Sequence, residues 1–345
     1  MRHIAIDLGG RESQICVREA DGTVVEERRV GTGLLKEYLR RQEAAQVVVE
    51  TCAESFAVAD AAVASGHRVR VVPATLAPSL GVGARRIKTD RRDAQVLSEV
   101  SCQLKELHSV HVPSAASREH KAVVHLRESL VKSRTLLVNS VRGYLRTQLI
   151  RVPGGVVETF PRRIRQYLIE KCQREVSDFV ERQLLAIEAL TEQIRGADRD
   201  VSRRAKSTPV CRRLMTVPGV GPVTALFFAA TVDDVSRFDN SHRVASFLGL
   251  TPGESSSSDT KHRLSITKAG SSTMRWLLQQ AAWSALRARR LDPLQRWMRN
   301  VEARRGRRIA VVALARKLAG VMYAIWKGGD GMTYQAHLAA SERAT

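Results

Sequence analysis

The sequence is poor in the residues that hold zinc or staple a secreted fold. Its five cysteines, Cys16, Cys52, Cys102, Cys172 and Cys211, are scattered, odd in number and without a C-x-x-C pair. That usage argues for a reducing compartment and against a zinc site. The nine histidines show no metal-ligand spacing either. No apolar run approaches the roughly 18 residues of a membrane span, and the N-terminus reads as a strand rather than a signal peptide. A cytoplasmic chain with no membrane partner is expected. Acids are also scarce: 35 stand against 56 Lys and Arg, a formal charge of +21. Such an imbalance points to a polyanionic partner, with nucleic acid the first candidate. What is present suffices for folding. The 345 residues are 43% hydrophobic and 26% charged, enough for two or three cored domains of roughly 150 residues each.

The first third alternates strands and helices. Strands are expected over 3–7, 13–20 and 23–30, joined by the Gly9-Gly10 turn and an Asp21-Gly22 hairpin signal. A helix over 34–41, a β-branched strand over 46–50, an Ala-rich helix over 55–64 and a strand over 68–72 follow. This is the element order of the RNase H-like nuclease fold, in which the first and fourth strands are neighbours. A helix beginning near Asp90 would then lie across their ends. From residue 117 the pattern turns helical, with Val123, Leu130, Leu137 and Tyr144 at intervals of seven and many basic residues beside them. Val152-Pro-Gly-Gly155 breaks this helix, and a second over 175–195 carries Val176, Val180, Ile187, Leu190 and Ile194 at a/d spacing. The pair reads as a coiled-coil-like arm used in part for self-association. Beyond residue 207, Leu214-Met-Thr-Val-Pro-Gly-Val-Gly-Pro222 leads into an apolar helix. Short and long helices continue to Lys327, with a frayed tail after Gly328. The expected class is α/β plus α. An RNase H-like domain spans 1–112, a helical coiled-coil-like region 113–205, and a mostly helical domain with a helix-hairpin-helix-like element 206–345.

Two features carry chemistry. Asp90 and Asp93, three apart, share one face of a helix, where like charges repel unless a cation sits between them. Read alone, the pair is equally a helix start, with Asp90 as N-cap and Asp93 in the first turn. Asp7 and Glu50, however, close two apolar strand runs that the fold would set side by side. Four convergent carboxylates can hold two magnesium ions about 4 Å apart, the arrangement that cuts and joins phosphodiesters. The second feature is basic. Nine arginines against two acids lie between Ala285 and Arg308, and Arg287, Arg304, Arg305, Arg307 and Arg308 are expected on a phosphate-contacting face. The Gly-rich turn before Pro222 opens a helix and exposes N–H groups suited to a phosphate.

An N-terminal Ile6-Asp7, the strand-end Glu50 and Lys88-Thr-Asp-x-x-Asp-Ala94 stand together with Pro218-Gly-Val-Gly221. Gly249-Leu-Thr-Pro252, the serines after it and Ile266-Thr-Lys-Ala-Gly270 complete the set. In this order they resemble a family of bacterial insertion-sequence transposases, the bridge-RNA-guided recombinases. That family has a Holliday-junction-resolvase-like DEDD domain and a C-terminal serine domain. The resemblance implies a recombinase that cuts and rejoins DNA, with Asp7, Glu50, Asp90 and Asp93 as its tetrad, binding Mg2+ or Mn2+. It also implies a nucleophilic serine within Ser255 to Ser258. An ungapped count from Gly249 selects Ser257, and a slip of one selects Ser256; Lys261, Arg263 and Lys268 stand near to balance a scissile phosphate. Donor and target DNA, a guide RNA and further copies of the chain, as a dimer or tetramer, are the implied partners, at the bacterial nucleoid. The chain departs from the family in having Ser258-Asp259 where Gly usually follows the serine, and Thr51-Cys-Ala after Glu50. A metal-dependent nuclease or junction resolvase, with the serine run as a flexible linker, is the alternative. Ile4 to Gly10 also resembles the first phosphate loop of actin-like kinases. The second Asp-Gly motif and adenosine site of those proteins are missing, and +21 is the wrong charge for them.

Overall fold

The computed structural model describes residues 1–76, 89–104, 107–257, 260–287 and 292–343, with the side chains of 255–257 and 260–263 outside the description. The chain divides into two compact units, Met1–Pro113 and Ser114–Thr345. The first is built on a sheet and the second is mainly helical.

In the first unit β1 (His3–Asp7), β2 (Glu12–Arg18) and β3 (Val24–Gly31) form an antiparallel meander. Gly22 turns β2 into β3 at φ +91°, a conformation that glycine adopts without strain. α1 (Leu35–Arg40) leads to β4 (Gln46–Glu50), and α2 (Ser55–Ala64) leads to β5 (Arg68–Val72). β4 pairs parallel with both β1 and β5, giving the order β3-β2-β1-β4-β5. The first and fourth strands are therefore neighbours, as the element order predicts. Strand alternation sorts the side chains by face. Ile4, Ile6, Val47 and Val49 pack with Leu35, Leu39, Val58 and Ala62 of α1 and α2. Ala5, Val48 and Val72 pack on the other face with Leu97 of α3 (Asp90–Gln103). Both faces are covered, which is why Val47-Val-Val49 is an unbroken apolar run. Each of these valines, fully buried, contributes about 1.5–3 kcal/mol.

The second unit contains, in order, α4 (Ala115–Thr147), α5 (Phe160–Cys172), α6 (Asp178–Ser207), α7 (Pro209–Leu214), α8 (Pro222–Val232) and α9 (Ser241–Phe247). A hairpin of β6 (Pro252–Ser257) and β7 (Thr260–Ile266) follows, then α10 (Ser272–Leu286), α11 (Pro293–Arg305), α12 (Arg307–Lys327) and α13 (Tyr334–Arg343). α4 and α6 run antiparallel, because Glu119 meets Arg204, Arg127 meets Asp198 and Arg134 meets Thr191. Their outer halves close a core with α5, through Val138, Val141, Leu145, Ile164, Leu168 and Leu184. Their inner halves, through Val124, Val201 and Ala205, join the core of the C-terminal helices. The helices of 113–205 thus share a core with those of 206–345.

Three details differ from expectation. The buried apolar seam of α4 runs through Val124, Val138 and Leu145, one residue on from 123, 137 and 144 of the expected stripe, with Val141 beside them. A straight helix drifts about 20° per heptad, and here it packs against both α6 and α8, so Leu137 and Tyr144 sit at the seam's margin. The serine-rich segment, where no strand is expected from the sequence, pairs as a hairpin of β6 with β7. The tail is helical and anchored: Tyr334 is buried, and its hydroxyl donates to Asp292 Oδ1 at 2.7 Å. α12 has the length and composition to cross a bilayer, but Ala310, Leu314, Leu318 and Met322 bury it in the core of this unit.

Candidate active site

The direction of α3 decides where its acids lie. Near its C-terminal end Ser101 Oγ is 2.7 Å from His3 Nδ1. One turn earlier Ser98 Oγ accepts from Arg18 Nε at 2.8 Å and donates to Cys16 Sγ at 3.2 Å. His3 pairs with Arg18 and Ala5 with Cys16 across β1 and β2, so α3 runs antiparallel to β1 and its first turn points toward Asp7. The distances agree. From Ser98 back to Asp93 is five residues, about 7.5 Å of helix, and from Ala5 on to Asp7 is two residues, about 6.7 Å of strand. Glu27 on β3 fastens the N-terminal half of the helix, accepting from Arg91 Nε at 3.0 Å and from Gln95. Arg91 and Gln95 hold the Glu27 carboxyl below the usual carboxylate range.

Asp7 and Glu50 each lie one residue past the paired Ile6 and Val49 of adjacent parallel strands. By alternation they share the face of Ala5 and Val48, which is the face α3 covers. Asp93 precedes Leu97 by one helical turn on the buried side and is 2% exposed. A carboxylate is seldom buried without partners. Asp90 is exposed and lies 3.8 Å from Arg29, a pair weakened by solvent. Neither aspartate caps the helix. Thr89 does, accepting from Arg92 N at 3.3 Å. The backbone therefore brings Asp7, Glu50 and Asp93 toward one end of the sheet, with Asp90 on the outer side of the same turn. Among the described residues no three His, Cys, Asp or Glu side chains stand close enough to hold a metal ion. The donor chemistry, carboxylate oxygen throughout, fits a hard divalent cation. Arg86 to Lys88, which open the motif, lie outside the described residues.

In the second unit Ser256 pairs with Lys261 and Ser257 with Thr260, so Ser257 ends β6 and Ser258-Asp259, outside the described residues, connect the strands. The side chains of Ser256, Ser257, Lys261 and Arg263 are likewise outside the description. The hairpin's base is well defined. Gly249 (φ +68°) and Gly270 (φ +72°) sit where a Cβ would come within 2.0 Å of Ala269 O and 2.2 Å of Phe247 O respectively. Thr267 N donates to Thr251 O at 2.9 Å, and Lys268 N to Gly249 O at 3.2 Å. Arg275 Nη1 donates to Leu248 O, Ala269 O and Gly270 O at 3.3, 2.7 and 3.1 Å. The two motifs that flank the serines are thus bound to each other by backbone contact. Arg275 positions the hairpin; its place five residues past Gly270 is the only sequence signal of that role. Lys268 is exposed at φ +57°.

The basic residues are surface groups. Arg287, Arg304, Arg305, Arg307 and Arg308 are all exposed, the last four flanking Gly306 where α11 turns into α12. Arg307 lies 5.1 Å over the Trp283 ring and 3.6 Å from Glu302. The Gly-rich turn before α8 has a packing role. Gly219, at φ +83°, would place a Cβ 2.1 Å from Ala281 O of α10.

Residues 4–149 match a transposase family model of the DEDD type, and residues 211–297 match the model described as transposase IS116/IS110/IS902 family. The chain is 26% identical over 338 residues to the transposase for insertion sequence element IS1111A of Coxiella burnetii, covering 93% of this chain and 88% of that protein. It is 26% identical over 339 residues to a probable family 20 transposase of Pseudomonas aeruginosa, covering 94% and 96%. It is 24% identical over 335 residues to the transposase for insertion sequence element IS1328 of Yersinia enterocolitica, covering 94% and 97%. With the DEDD-type region at 4–149 and the second family region at 211–297 following in order, the chain belongs to the IS116/IS110/IS902 family of transposases, which serve insertion-sequence mobility.

Proposed function

We propose that this transposase cuts and rejoins DNA by a recombinase mechanism in which Asp7, Glu50, Asp90 and Asp93 bind divalent metal and Ser257 is the nucleophile. The sheet unit is then an RNase H-like domain, and the strand order β3-β2-β1-β4-β5 supports that reading. The DEDD domain type suggests dependence on a divalent metal, and magnesium or manganese suits an all-carboxylate set. One observation carries the proposal: buried Asp93 in the first turn of a helix antiparallel to β1, at the level of Asp7. Asp7 and Glu50 close adjacent strands on that face, so three acids share one end of the sheet. An ion held there supplies Lewis-acid charge against a transferring phosphate.

The serine step balances without an external energy source. The Ser257 oxygen bonds to phosphorus, one sugar oxygen departs with the serine proton, and the phosphate stays esterified to the other sugar. Attack by a sugar hydroxyl of a second DNA end reverses the exchange and returns the proton to serine. Phosphodiester bonds are conserved in number, which suits recombination better than hydrolysis. The β6–β7 pairing supports this reading over a linker, since a nucleophile needs a fixed backbone. Arg287, Arg304, Arg305, Arg307 and Arg308, with Lys261, Arg263 and Lys268, would contact backbone phosphate. The PGVG turn would act as a helix-hairpin-helix-like contact. Exposed Leu126, Leu136, Phe179 and Leu185 on α4 and α6 suit packing of a second copy in a dimer or tetramer. A guide RNA would share the basic surface, in the bacterial cytoplasm.

The test uses full-length Asp7→Asn, Glu50→Gln and Asp93→Asn proteins with DNA carrying the element's ends. Each is expected to lose recombination. Each should lose the thermal stabilisation that divalent metal gives wild type. A variant that recombines at the wild-type rate, or wild type that gains no thermal stability from millimolar magnesium, overturns the proposal. Sequencing of RNA that co-purifies with the protein tests the guide.

A further inference from the structure

The aromatic residues of the second unit point to a ligand that the arginines do not account for. The chain has four tryptophans, and three have partners. Trp283 lies under the Arg307 guanidinium at 5.1 Å, Trp297 under the Lys317 ammonium at 4.5 Å, and Trp326 is 6.4 Å from Phe228. Trp276 is 48% exposed, and its ring has no aromatic or cationic partner among the described residues. Tryptophan is seldom fully buried, and here a rigid helix presents the flat aromatic ring to solvent.

Its surroundings define the partner. Trp276, Gln280, Trp283 and Arg287 fall at spacings of four, three and four, so they line one stripe of α10. The stripe starts at the hairpin base, where Arg275 ties the Gly249 and Gly270 loops together. About 10 Å further along the axis it reaches Trp283 and the first turn of α12, with Arg307 and Arg308. From Thr260 to Leu291 the sequence has seven Lys or Arg and no acid. A protein surface that buried Trp276 would meet this charge uncompensated. A nucleic-acid strand neutralises it with phosphates and offers a flat π-face to the ring.

We propose that Trp276 is a stacking platform for an unpaired base of single-stranded DNA or RNA, whose backbone runs along α10 toward Arg287 and Arg307. Bases within a duplex are already stacked and cannot use it, so the residue distinguishes strand state, not sequence. The inference rests on the nucleic-acid reading above and adds a substrate preference to it.

The probes are a 12-nucleotide DNA carrying 2-aminopurine, the same sequence in RNA, and its DNA duplex, titrated at several salt concentrations with full-length wild type, Trp276→Ala and Trp276→Phe. Stacking on wild type quenches the 2-aminopurine. Trp276→Ala is expected to abolish the quench and weaken single-strand binding about tenfold. Duplex affinity should stay within about twofold, and the salt slope should not change, because no charge is lost. Phenylalanine should restore most of the single-strand affinity. The DNA and RNA arms show which strand the platform prefers. Equal loss on duplex and single strand, or no loss on either, overturns the proposal. So does a change in oligomeric state on Trp276→Ala, which would assign the ring to a protein interface. Wild type that binds none of the three probes would instead refute the nucleic-acid reading beneath it.

Discussion

Gly219→Ala should destabilise the second unit while leaving DNA contact below the melt unchanged. The residue has φ +83°, and an added Cβ would sit 2.1 Å from Ala281 O and 2.8 Å from Ala285 N, both backbone atoms of α10. The left-handed conformation costs an L-residue about 1–2 kcal/mol. Relief of the overlap requires either the turn or α10 to move, and α10 is set in a core with Leu277, Leu278, Ala281 and Ala282 buried. Overpacking of that kind costs about 1–3 kcal/mol. The sum, about 2–5 kcal/mol, converts to a melting temperature roughly 5–15 °C lower for a unit of this size. Gly221 in the same motif is the control. Its φ is −93°, and nothing lies within 4 Å of its added Cβ, so Gly221→Ala should cost under about 1 kcal/mol. Thermal denaturation followed by circular dichroism measures both, and duplex binding by anisotropy is read well below the melt. Gly219→Ala that melts within about 2 °C of wild type refutes the packing argument. Gly221→Ala that binds DNA much more weakly at unchanged stability would favour a phosphate held at the opening of α8.

Replacing Arg304, Arg305, Arg307 and Arg308 with Gln should weaken binding to many DNA sequences alike, and each lost contact should flatten the log affinity against log salt slope by about 0.7–0.9. A loss confined to one target sequence would contradict the phosphate reading. Arg165 joins α5 to α6 through Glu181 and Glu188, and its hydrogen bonds hold the Glu181 carboxyl below its ordinary value of 4.5. The stability this adds is complete above that value and is lost as pH falls through the lower, folded one. Arg165→Ala should therefore cost up to about 1 kcal/mol at pH 7 and make urea midpoints fall less steeply on acidification, and an unchanged acid limb would exclude the bridge.

The sheet unit was largely legible because its signals are local and consistent. Apolar runs ending in Asp7 and Glu50, Gly22 in a hairpin and an Ala-rich α2 all give one element order, and the parallel β1–β4 pairing follows from it. The helix cap was not legible. Thr89 and Asp90 are both good N-caps by type, and only the geometry chooses Thr89. The second unit was legible as helices but not as packing. An interval of seven fits two adjacent stripes of a long helix, and the choice of Val124 over Val123 is made by two partners distant in sequence. The hairpin is not legible because Pro252 to Ser257 has no alternating apolar residues and lacks a strand former. Its pairing is fixed at the base by Gly249, Gly270 and Arg275. The tail reads as frayed because no periodic signal announces α13, yet Tyr334 and Leu338 pack it on the core and Tyr334 bonds to Asp292 and Thr216.

That hairpin sharpens the choice of nucleophile. In a linker, Ser256 and Ser257 would be nearly interchangeable, each able to swing toward a phosphate. In a paired strand, consecutive positions belong to opposite faces, and Ser256 and Ser257 are held in register against Lys261 and Thr260. One of them can then be in line for attack, and the other cannot without a register slip, which would change every pair between Pro252 and Ile266. An error of about 1 Å in a reacting atom is enough to cost on the order of a hundredfold in rate. Ser257→Ala should therefore abolish both recombination and the covalent protein–DNA species on a nicked suicide substrate, with DNA affinity unchanged. Ser256→Ala should keep both activities within about tenfold. Denaturing gels separate the adduct, and peptide mapping locates the phosphoserine. An adduct on Ser256 with an active Ser257→Ala protein would reverse the assignment and place the reacting face on the other side of the ribbon. Equal activity in both single variants, with no adduct on any serine, would remove the serine step and leave the carboxylates to act as a hydrolytic nuclease.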